Sequence, residues 1–253
     1  DLNTGKMAAT AESPYKNGVI SGEMKHKPIK LEPEWFLQDP DDWLESMVSV
    51  SREMLREGRI KPEEVAGIGT DFTSCTLIPI KKDGTPLCKM DRFRDIPNAW
   101  PKLWKHHGAQ PYAERIEKYA KENTTWLKEY FGNSVSSEWV YPKMLQVAEE
   151  NPEIYIEADY FIEAVDYIVM LLTGINSRNS GILGVNAFWV KGKGYPDAAF
   201  ARALNPLLED AANTKLAGDI VKAGDYVGKV LPHMAELLGV TTEAVVAAGH
   251  GDS

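Results

Sequence analysis

Cysteine is scarce in this sequence. Only Cys75 and Cys88 occur among its 253 residues, and they flank a segment with the pattern of a hairpin. A disulfide framework needs several paired cysteines, so it is excluded, and both residues are expected to be free thiols. Free thiols are typical of a reducing compartment, which predicts a cytoplasmic protein.

Positive charge is also in deficit. The chain has 28 Lys and Arg residues against 37 Asp and Glu residues, a formal net charge of −9. Binding to nucleic acid or to an anionic membrane depends on a concentrated basic surface, and the sequence contains none. The composition therefore favours a neutral small molecule as the ligand.

Long apolar runs are missing as well. The longest, Tyr167–Leu172, is far shorter than the roughly 20 residues that cross a bilayer. Proline and glycine are scattered, which argues against low complexity. We expect one folded, compact lobe without a membrane span, because a chain of this length can bury a substantial core.

No histidine or cysteine cluster has the spacing of a metal site. His106 and His107 are adjacent, so on a helix they point in different directions and cannot chelate a metal together. The lysines of a small basic cluster could neutralise a phosphate, but single lysines on helices are mostly solvated, as expected for Lys102, Lys105 and Lys143.

The sequence has neither an initiator methionine nor an apolar leader, and it begins Asp1-Leu2-Asn3. This start is typical of sequence from the middle of a protein. We therefore expect a strand before residue 1 to be missing, which would expose a sheet edge and apolar surface. The isolated chain is predicted to aggregate or fold poorly.

The first hundred residues have the pattern of an α/β layer. Weak alternation up to Met24 suits strands, and Asp39-Pro40 is a helix start followed by helical spacing of apolar residues up to Gly58. Two short apolar stretches follow, 65–70 and 76–80. The dipeptide Asp83-Gly84 then predicts a hairpin turn.

Helical patterns dominate from Asn98 to about Gly174, with breaks near Pro111, Gly132 and Pro152. This section is predicted to be a helical insertion. Near the end of the chain, the small-residue strand 245–248 runs into the sequence Gly-His-Gly-Asp at 249–252.

Three places could carry chemistry. Asp252 follows a buried strand and two glycines, which is how α/β proteins place a polar side chain beyond the carboxyl ends of strands. A carboxylate there can accept the proton of an attacking hydroxyl, although spacing alone favours a terminal Asp in a solvated loop. The hydroxyl-rich loop 70–76 could bond a polyol, although such loops are usually satisfied by their own side chains.

The third place is the segment 136–139, Ser-Ser-Glu-Trp. One serine is expected to cap the helix that follows, and Glu138 to favour its first turn. The face of Trp139 beside a carboxylate could also form one wall of a sugar pocket, since such sites combine an apolar surface with a few placed polar groups.

Three long motifs carry a family resemblance: Gly69–Thr76 (GTDFTSCT), Lys102–His107 (KLWKHH) and Val135–Trp139 (VSSEW). They resemble the ribulokinases of the FGGY carbohydrate kinases. Further similarity runs in order through 158–174, 187–189, 194–196 and 214–221, so the resemblance covers nearly the whole chain.

The resemblance implies an actin-like, ribonuclease-H-like ATPase-superfamily lobe with a helical insertion. In that family the first lobe binds the sugar, and the second binds ATP with Mg²⁺. Residues 1–253 would be the first lobe without its first strand, with the nucleotide-binding lobe absent, and would therefore be inactive alone.

The implied reaction is transfer of the γ-phosphoryl of ATP to the terminal hydroxyl of L-ribulose in arabinose breakdown. Asp252 falls on the position of the family's catalytic base. The implied contacts to the ketose are Ser74, Cys75, Glu138, Trp139, Asn186 and Asp252. No residue is assigned to the nucleotide or to a metal, and the sequence does not reveal the oligomeric state.

One departure bears on the substrate. The family usually has a lysine in a Gly-Tyr-Lys-Ala stretch, and the matching residues here are Gly184-Val185-Asn186-Ala187. Asn186 replaces a cation with a neutral amide. This leaves three alternatives open: a kinase of the same family for another ketose or polyol, a sugar-binding relative without transfer chemistry, and a structural actin-like module.

Overall fold

A computed structural model describes residues 1–252 as a mixed α/β structure. The α-helices of the described residues are α1 (Pro40–Gly58), α2 (Gln110–Asn123), α3 (Trp126–Tyr130), α4 (Val140–Glu150), α5 (Pro152–Glu157), α6 (Ala164–Thr173), α7 (Ser180–Asn186), α8 (Ala198–Leu204) and α9 (Pro232–Leu238). The strands are β1 (Gly67–Ile68), β2 (Asp71–Phe72), β3 (Leu77–Ile80), β4 (Tyr160–Glu163), β5 (Ser177–Asn179), β6 (Asp219–Val221), β7 (Tyr226–Lys229), β8 (Val245–Ala247) and β9 (His250–Gly251). Short 3₁₀ turns lie at Pro62–Glu64, Leu87–Lys89, Pro97–Ala99 and Pro206–Leu208.

The strands pair across long stretches of sequence. β1 runs parallel to β8, and β7 lies antiparallel on the other side of β8. β2 runs parallel to β9, β5 parallel to β6, and β3 antiparallel to β4. Parallel pairs need long crossover connections, which the intervening helices supply. The α/β class predicted from the sequence is confirmed.

Helix α1 begins and ends where the sequence indicates. The Asp39 side chain caps its N-terminus by accepting from the backbone N–H of Asp41, and Pro40 takes the first helical position. Trp43, in the first turn of this helix, is buried and packs edge-on against Phe72. The helix therefore fixes one wall against the strand that leads to the candidate site.

Two apolar clusters form the interior. One lies among the helices of the middle section and is built on α2, α4, α5 and α8. The other lies beneath β3, β4 and β8, where α1, α6 and α9 cover the strands. The helical section and the strand-bearing section thus each bury their own side chains.

The middle section is less uniformly helical than predicted. Residues 160–163 form strand β4, which pairs with β3 in the register Leu77↔Glu163 to Ile80↔Tyr160. Its residues Tyr-Phe-Ile are β-prone. Because helical patterns lie on both sides of them in the sequence, the whole run was predicted to be helical. The helical insertion therefore ends with α5, and β4 and α6 belong to the strand-bearing core. Within residues 1–252 no helix combines the length and apolarity that crossing a membrane demands.

The prediction of strands in the segment up to Met24 is wrong. This segment forms only isolated bridges, Ile20 with Leu37 and Glu23 with Lys30. Ile20 and Met24 are buried while most of their neighbours are exposed, so the segment lacks the apolar face that a longer ladder would need.

The predicted turn at Asp83-Gly84 is present, with Gly84 at φ +87° and the Lys81 N–H bonded to the Thr85 carbonyl. The returning strand is reduced to one bridge between Ile80 and Pro86. Proline has no N–H to donate, so the ladder stops there.

Candidate active site

The carboxyl ends of β2 and β9 bring two distant parts of the sequence together. Their register pairs Asp71 with His250 and Phe72 with Gly251. The backbone N–H of Ser74 donates to Asp252 Oδ1 at 3.1 Å, and the Asp252 N–H donates to the Phe72 carbonyl at 3.0 Å. The predicted base and the hydroxyl-rich loop therefore meet at one sheet edge.

Asp252 is exposed at a crevice of about 250 Å³. The residues that line this crevice are Tyr15, Gln38, Asp71, Phe72, Thr73 and Asp252. Tyr15 and Gln38 were not predicted from the sequence. Gln38 directly precedes the cap of α1 and accepts from the Trp43 indole at 3.3 Å, a role that no local pattern signals.

Glycines allow the close approach of the two strands. A Cβ on Gly251 would overlap Ser74 Oγ and crowd Ile182, and one on Gly249 would overlap Val165 and Thr70. The glycines around His250 are thus required for Asp252 to reach the loop.

We expect Gly251→Ala to separate the Ser74 loop from Asp252 and to lower the free energy of unfolding by about 1–3 kcal/mol, the usual range for overpacking. Denaturant unfolding measures this. Gly69→Ala is the matched control, since a Cβ there meets nothing within 4 Å. Equal unfolding midpoints for the two variants would contradict the close-packing argument.

Cys75 lies at the bend of the loop 70–76. Its backbone is left-handed, with φ +63°, and its side chain is buried. Burial raises the pKa of the Cys75 thiol to about 12, with the nearby carboxylate of Glu163 adding to the effect. The thiol is therefore neutral and is no nucleophile. The described structure bears out the prediction that Cys75 and Cys88 are free thiols.

Lys143, on α4, ties this bend to the helical section. Its buried Nζ donates to the Cys75 carbonyl at 2.5 Å and to the Leu103 carbonyl at 3.0 Å. Burial lowers the pKa of Lys143. The amine is a structural donor that fixes the loop beside Asp252.

The expectation that the basic cluster is solvated was wrong for two of its three members. Lys102 and Lys143 are buried, and Lys102 Nζ donates to Asn98 Oδ1 at 2.6 Å and lies over the Trp35 ring. Burial lowers the pKa of Lys102 to about 7. Lys105 is half-buried over Phe36. The partners of these lysines, the Cys75 carbonyl for Lys143 and the Trp35 ring for Lys102, lie far away in the sequence. A local helical pattern therefore could not predict their burial.

Asn186 is fully buried at the end of α7. Its Nδ2 donates to Glu163 Oε1 at 2.8 Å and contacts Cys75 Sγ at 3.5 Å. Asn186 Oδ1 and Glu163 Oε2 have no partner among the described residues, and neither has Ser74 Oγ. Burial raises the pKa of Glu163, opposed by Lys143. Glu163 was missed from the sequence because its partner lies 23 residues away.

The segment 136–139 does not cap a helix through its serines. Helix α4 begins at Val140, with Trp139 as its N-cap and no side-chain cap bond. Ser136 Oγ instead accepts from the Glu138 N–H, and Ser137 Oγ bonds His107 Nδ1 at 3.0 Å. The capping prediction is wrong because the chain turns two residues later than the Ser-Ser pattern indicates.

The two other predicted residues of this segment are half-buried. Glu138 Oε1 lies 3.9 Å from His107 Nε2. Trp139 packs edge-on against Phe131 and Phe188. Neither residue lines the crevice at Asp252. Lys143 links this segment to the crevice loop, because its backbone N–H donates to the Trp139 carbonyl at 3.3 Å and its Nζ donates to the Cys75 carbonyl at 2.5 Å.

The comparisons with known proteins agree with this geometry. Residues 14–253 match the model of the N-terminal domain of the FGGY family of carbohydrate kinases. A ribulokinase of Halalkalibacterium halodurans is 40% identical over 253 residues, which is 100% of this chain and 45% of the relative. A ribulokinase of Anoxybacillus flavithermus is 39% identical over 250 residues, 98% of this chain and 44% of the relative. The chain thus spans less than half the length of these relatives.

Solved structures with the same fold include a xylulose kinase from Rhodospirillum rubrum, at TM-score 0.67 and 17% identity, covering 88% of this chain and 42% of that one. A Plasmodium falciparum glycerol kinase with ADP matches at TM-score 0.65 and 14% identity, covering 88% of this chain and 42% of that one. At these identities the likeness concerns the fold alone.

Proposed function

The chain belongs to the FGGY family of carbohydrate kinases, and from this premise we propose that it is the sugar-binding lobe of an ATP-dependent ribulokinase. The proposed reaction phosphorylates L-ribulose to L-ribulose 5-phosphate in L-arabinose catabolism. Similarity to ribulokinases along the whole chain supports the substrate. The buried free thiols support a reducing, cytoplasmic setting.

The observation that carries the proposal is the hydrogen bond from the Ser74 N–H to Asp252 in an open crevice. This bond uses one carboxylate oxygen and orients the other. Asp252 then accepts the proton of the terminal ketose hydroxyl, whose oxygen forms a bond to the γ-phosphorus of ATP. The bond from that phosphorus to the β,γ-bridging oxygen breaks, and ADP leaves with the electron pair.

The ketose contacts are proposed for the residues that continue from the Ser74 loop. Ser74 Oγ and Asn186 Oδ1 are buried without partners, so each is free to bond a substrate hydroxyl. Cys75 holds the bend between them. Glu138 and Trp139 are proposed as the outer wall, where an indole face and a carboxylate suit a sugar.

ATP would be bound by a second, nucleotide-binding lobe. Within residues 1–252 no group of three or more His, Cys, Asp or Glu side chains could hold a metal ion. Mg²⁺ in phosphoryl-transfer sites is usually held by one or two carboxylates together with the phosphates of the nucleotide, and no step here is routed through it. We propose that Mg²⁺ arrives as the ATP complex and is held by that second lobe.

We also propose that a strand preceding residue 1 pairs with β1. In the described residues β1 pairs only with β8, and residues of both strands line a cavity of about 910 Å³. Ile68 and Val245 lie along this cavity, which gives an incoming strand both backbone and apolar partners.

The test is ATP consumption by the protein that joins this lobe to its nucleotide lobe, measured with L-ribulose, D-ribulose and D-xylulose. The proposal expects the highest kcat/KM with L-ribulose. A higher value with another sugar would overturn the substrate and favour the second candidate, a kinase for a different ketose or polyol. The neutral Asn186 is the observation that favours this candidate.

Two further outcomes separate the remaining alternatives. Sugar binding without ATP turnover would indicate a relative that has lost transfer chemistry. Failure to bind any of the three sugars would indicate a structural module with an actin-like fold.

A further inference from the structure

A second cavity, of about 430 Å³, lies between helix α8, the segment 209–218 and strand β6. It shares no lining residue with the crevice at Asp252. Three aromatic side chains line it, from Tyr141, Trp189 and Tyr195. Its volume falls within the range of roughly 300–1,000 Å³ that is usual for small-molecule sites.

One of the residues that line the cavity, Tyr141, carries a buried polar group without a partner. Tyr141 is 0% exposed, and its hydroxyl forms no hydrogen bond within the described residues. A buried hydroxyl left in this way carries a desolvation cost that a ligand hydroxyl would remove. Burial also raises the pKa of Tyr141, so the group stays a neutral donor and acceptor.

The charges around the cavity select against ionic ligands. None of the described lining residues is Lys, Arg or His, and the carboxylates of Asp197 and Glu209 lie exposed at its mouth, where they would repel an anion. Behind it, the buried guanidinium of Arg178 donates to the carbonyl of Ala217, a lining residue. The buried carboxylate of Asp166 already offsets Arg178, and the described lining residues include no buried carboxylate that would balance a cation in the deep part.

We propose that this cavity is a second binding site, for an uncharged polyhydroxylated small molecule such as a sugar or sugar alcohol. One hydroxyl of the ligand bonds the Tyr141 hydroxyl, and its apolar face lies against the aromatic wall. The site goes beyond the proposed transfer reaction, because it is separate from the crevice at Asp252.

The test uses the full-length protein labelled with 5-fluorotryptophan and titrated with sorbitol and myo-inositol, followed by ¹⁹F NMR. Trp189 lines the cavity and reports its occupancy. Trp43 contacts Phe72 and Gln38 and reports the crevice. We expect the Trp189 resonance to shift, with a dissociation constant that Tyr141→Phe raises about tenfold through loss of one hydrogen bond.

Tyr155→Phe is the matched control, because Tyr155 is also buried with an unpartnered hydroxyl but does not line the cavity. Ala212→Phe, at the half-exposed wall, is a second variant that narrows the cavity and should also weaken the Trp189 shift. Three outcomes would overturn the proposal: shifts confined to Trp43, equal effects of the two tyrosine variants, or a tighter Trp189 response to choline or ribose 5-phosphate.

Discussion

Replacing Asp252 with asparagine is expected to reduce kcat by about 10²–10⁴, the range typical of a lost general base. Asparagine has the same shape, and its Oδ1 can still accept from the Ser74 N–H that bonds Asp252 at 3.1 Å. The loop should therefore keep its position while the proton acceptor is lost. Steady-state kinetics with L-ribulose and ATP, in the protein with both lobes, measures the effect.

The split between kcat and KM identifies the cause. We expect the KM for the sugar to change less than about threefold, because a base acts on the transition state more than on ground-state binding. Asp71→Asn is the control, since Asp71 also lines the crevice but forms no bond to Ser74, and its loss of kcat should be under about tenfold. Comparable losses from the two variants would mean that charge in the crevice, rather than Asp252 itself, supports turnover.

Local signals in the sequence predicted much of the fold. Asp39-Pro40 fixed the start of α1 because a side-chain cap and a proline act within one turn of the helix. The Asp83-Gly84 turn and the strand that runs into the sequence Gly-His-Gly-Asp are similarly local. Such features depend on neighbouring residues alone, so a single sequence is enough to find them.

Features that depend on distant partners were missed. Strand β4 is recognisable only through its pairing with β3, whose residues lie 80 to 86 positions earlier in the paired register. The burial of Lys143 depends on carbonyls of Cys75 and Leu103, and its helical spacing alone resembles that of a solvated lysine. The partnership of Glu163 with Asn186 has the same origin.

The candidate site lies between these two cases. The spacing around Asp252 permitted a catalytic role but favoured a solvated loop, and only the family resemblance singled the residue out. The parallel register of β2 and β9 places it beside Ser74. Its role in transfer, and those of the residues around the ketose, stay predictions that the kinetics above would test.

The buried amine of Lys143 leads to the second large expected effect. Lys143→Met keeps most of the side-chain volume but leaves the buried Cys75 carbonyl without a donor, at a cost of about 1–3 kcal/mol. The Leu103 carbonyl keeps the His106 N–H as a donor at 2.9 Å. Burial disfavours the charged form of the Lys143 amine and so lowers its pKa. Removing the amine also removes this desolvation cost, which offsets part of the loss in stability. We expect the free energy of unfolding to fall by about 2 kcal/mol, measured by denaturant unfolding at pH 7.

The same substitution should reduce turnover about 100-fold, because a small displacement of a catalytic group can cost that much. Without Lys143, the left-handed bend at Cys75 loses its anchor to α4, and the Ser74 N–H no longer holds Asp252 in place. Lys105→Met is the matched control: that lysine is half-buried over Phe36, and its loss should change stability by less than about 0.5 kcal/mol. Full turnover in a destabilised Lys143→Met protein would show that the amine supports the fold but does not position Asp252.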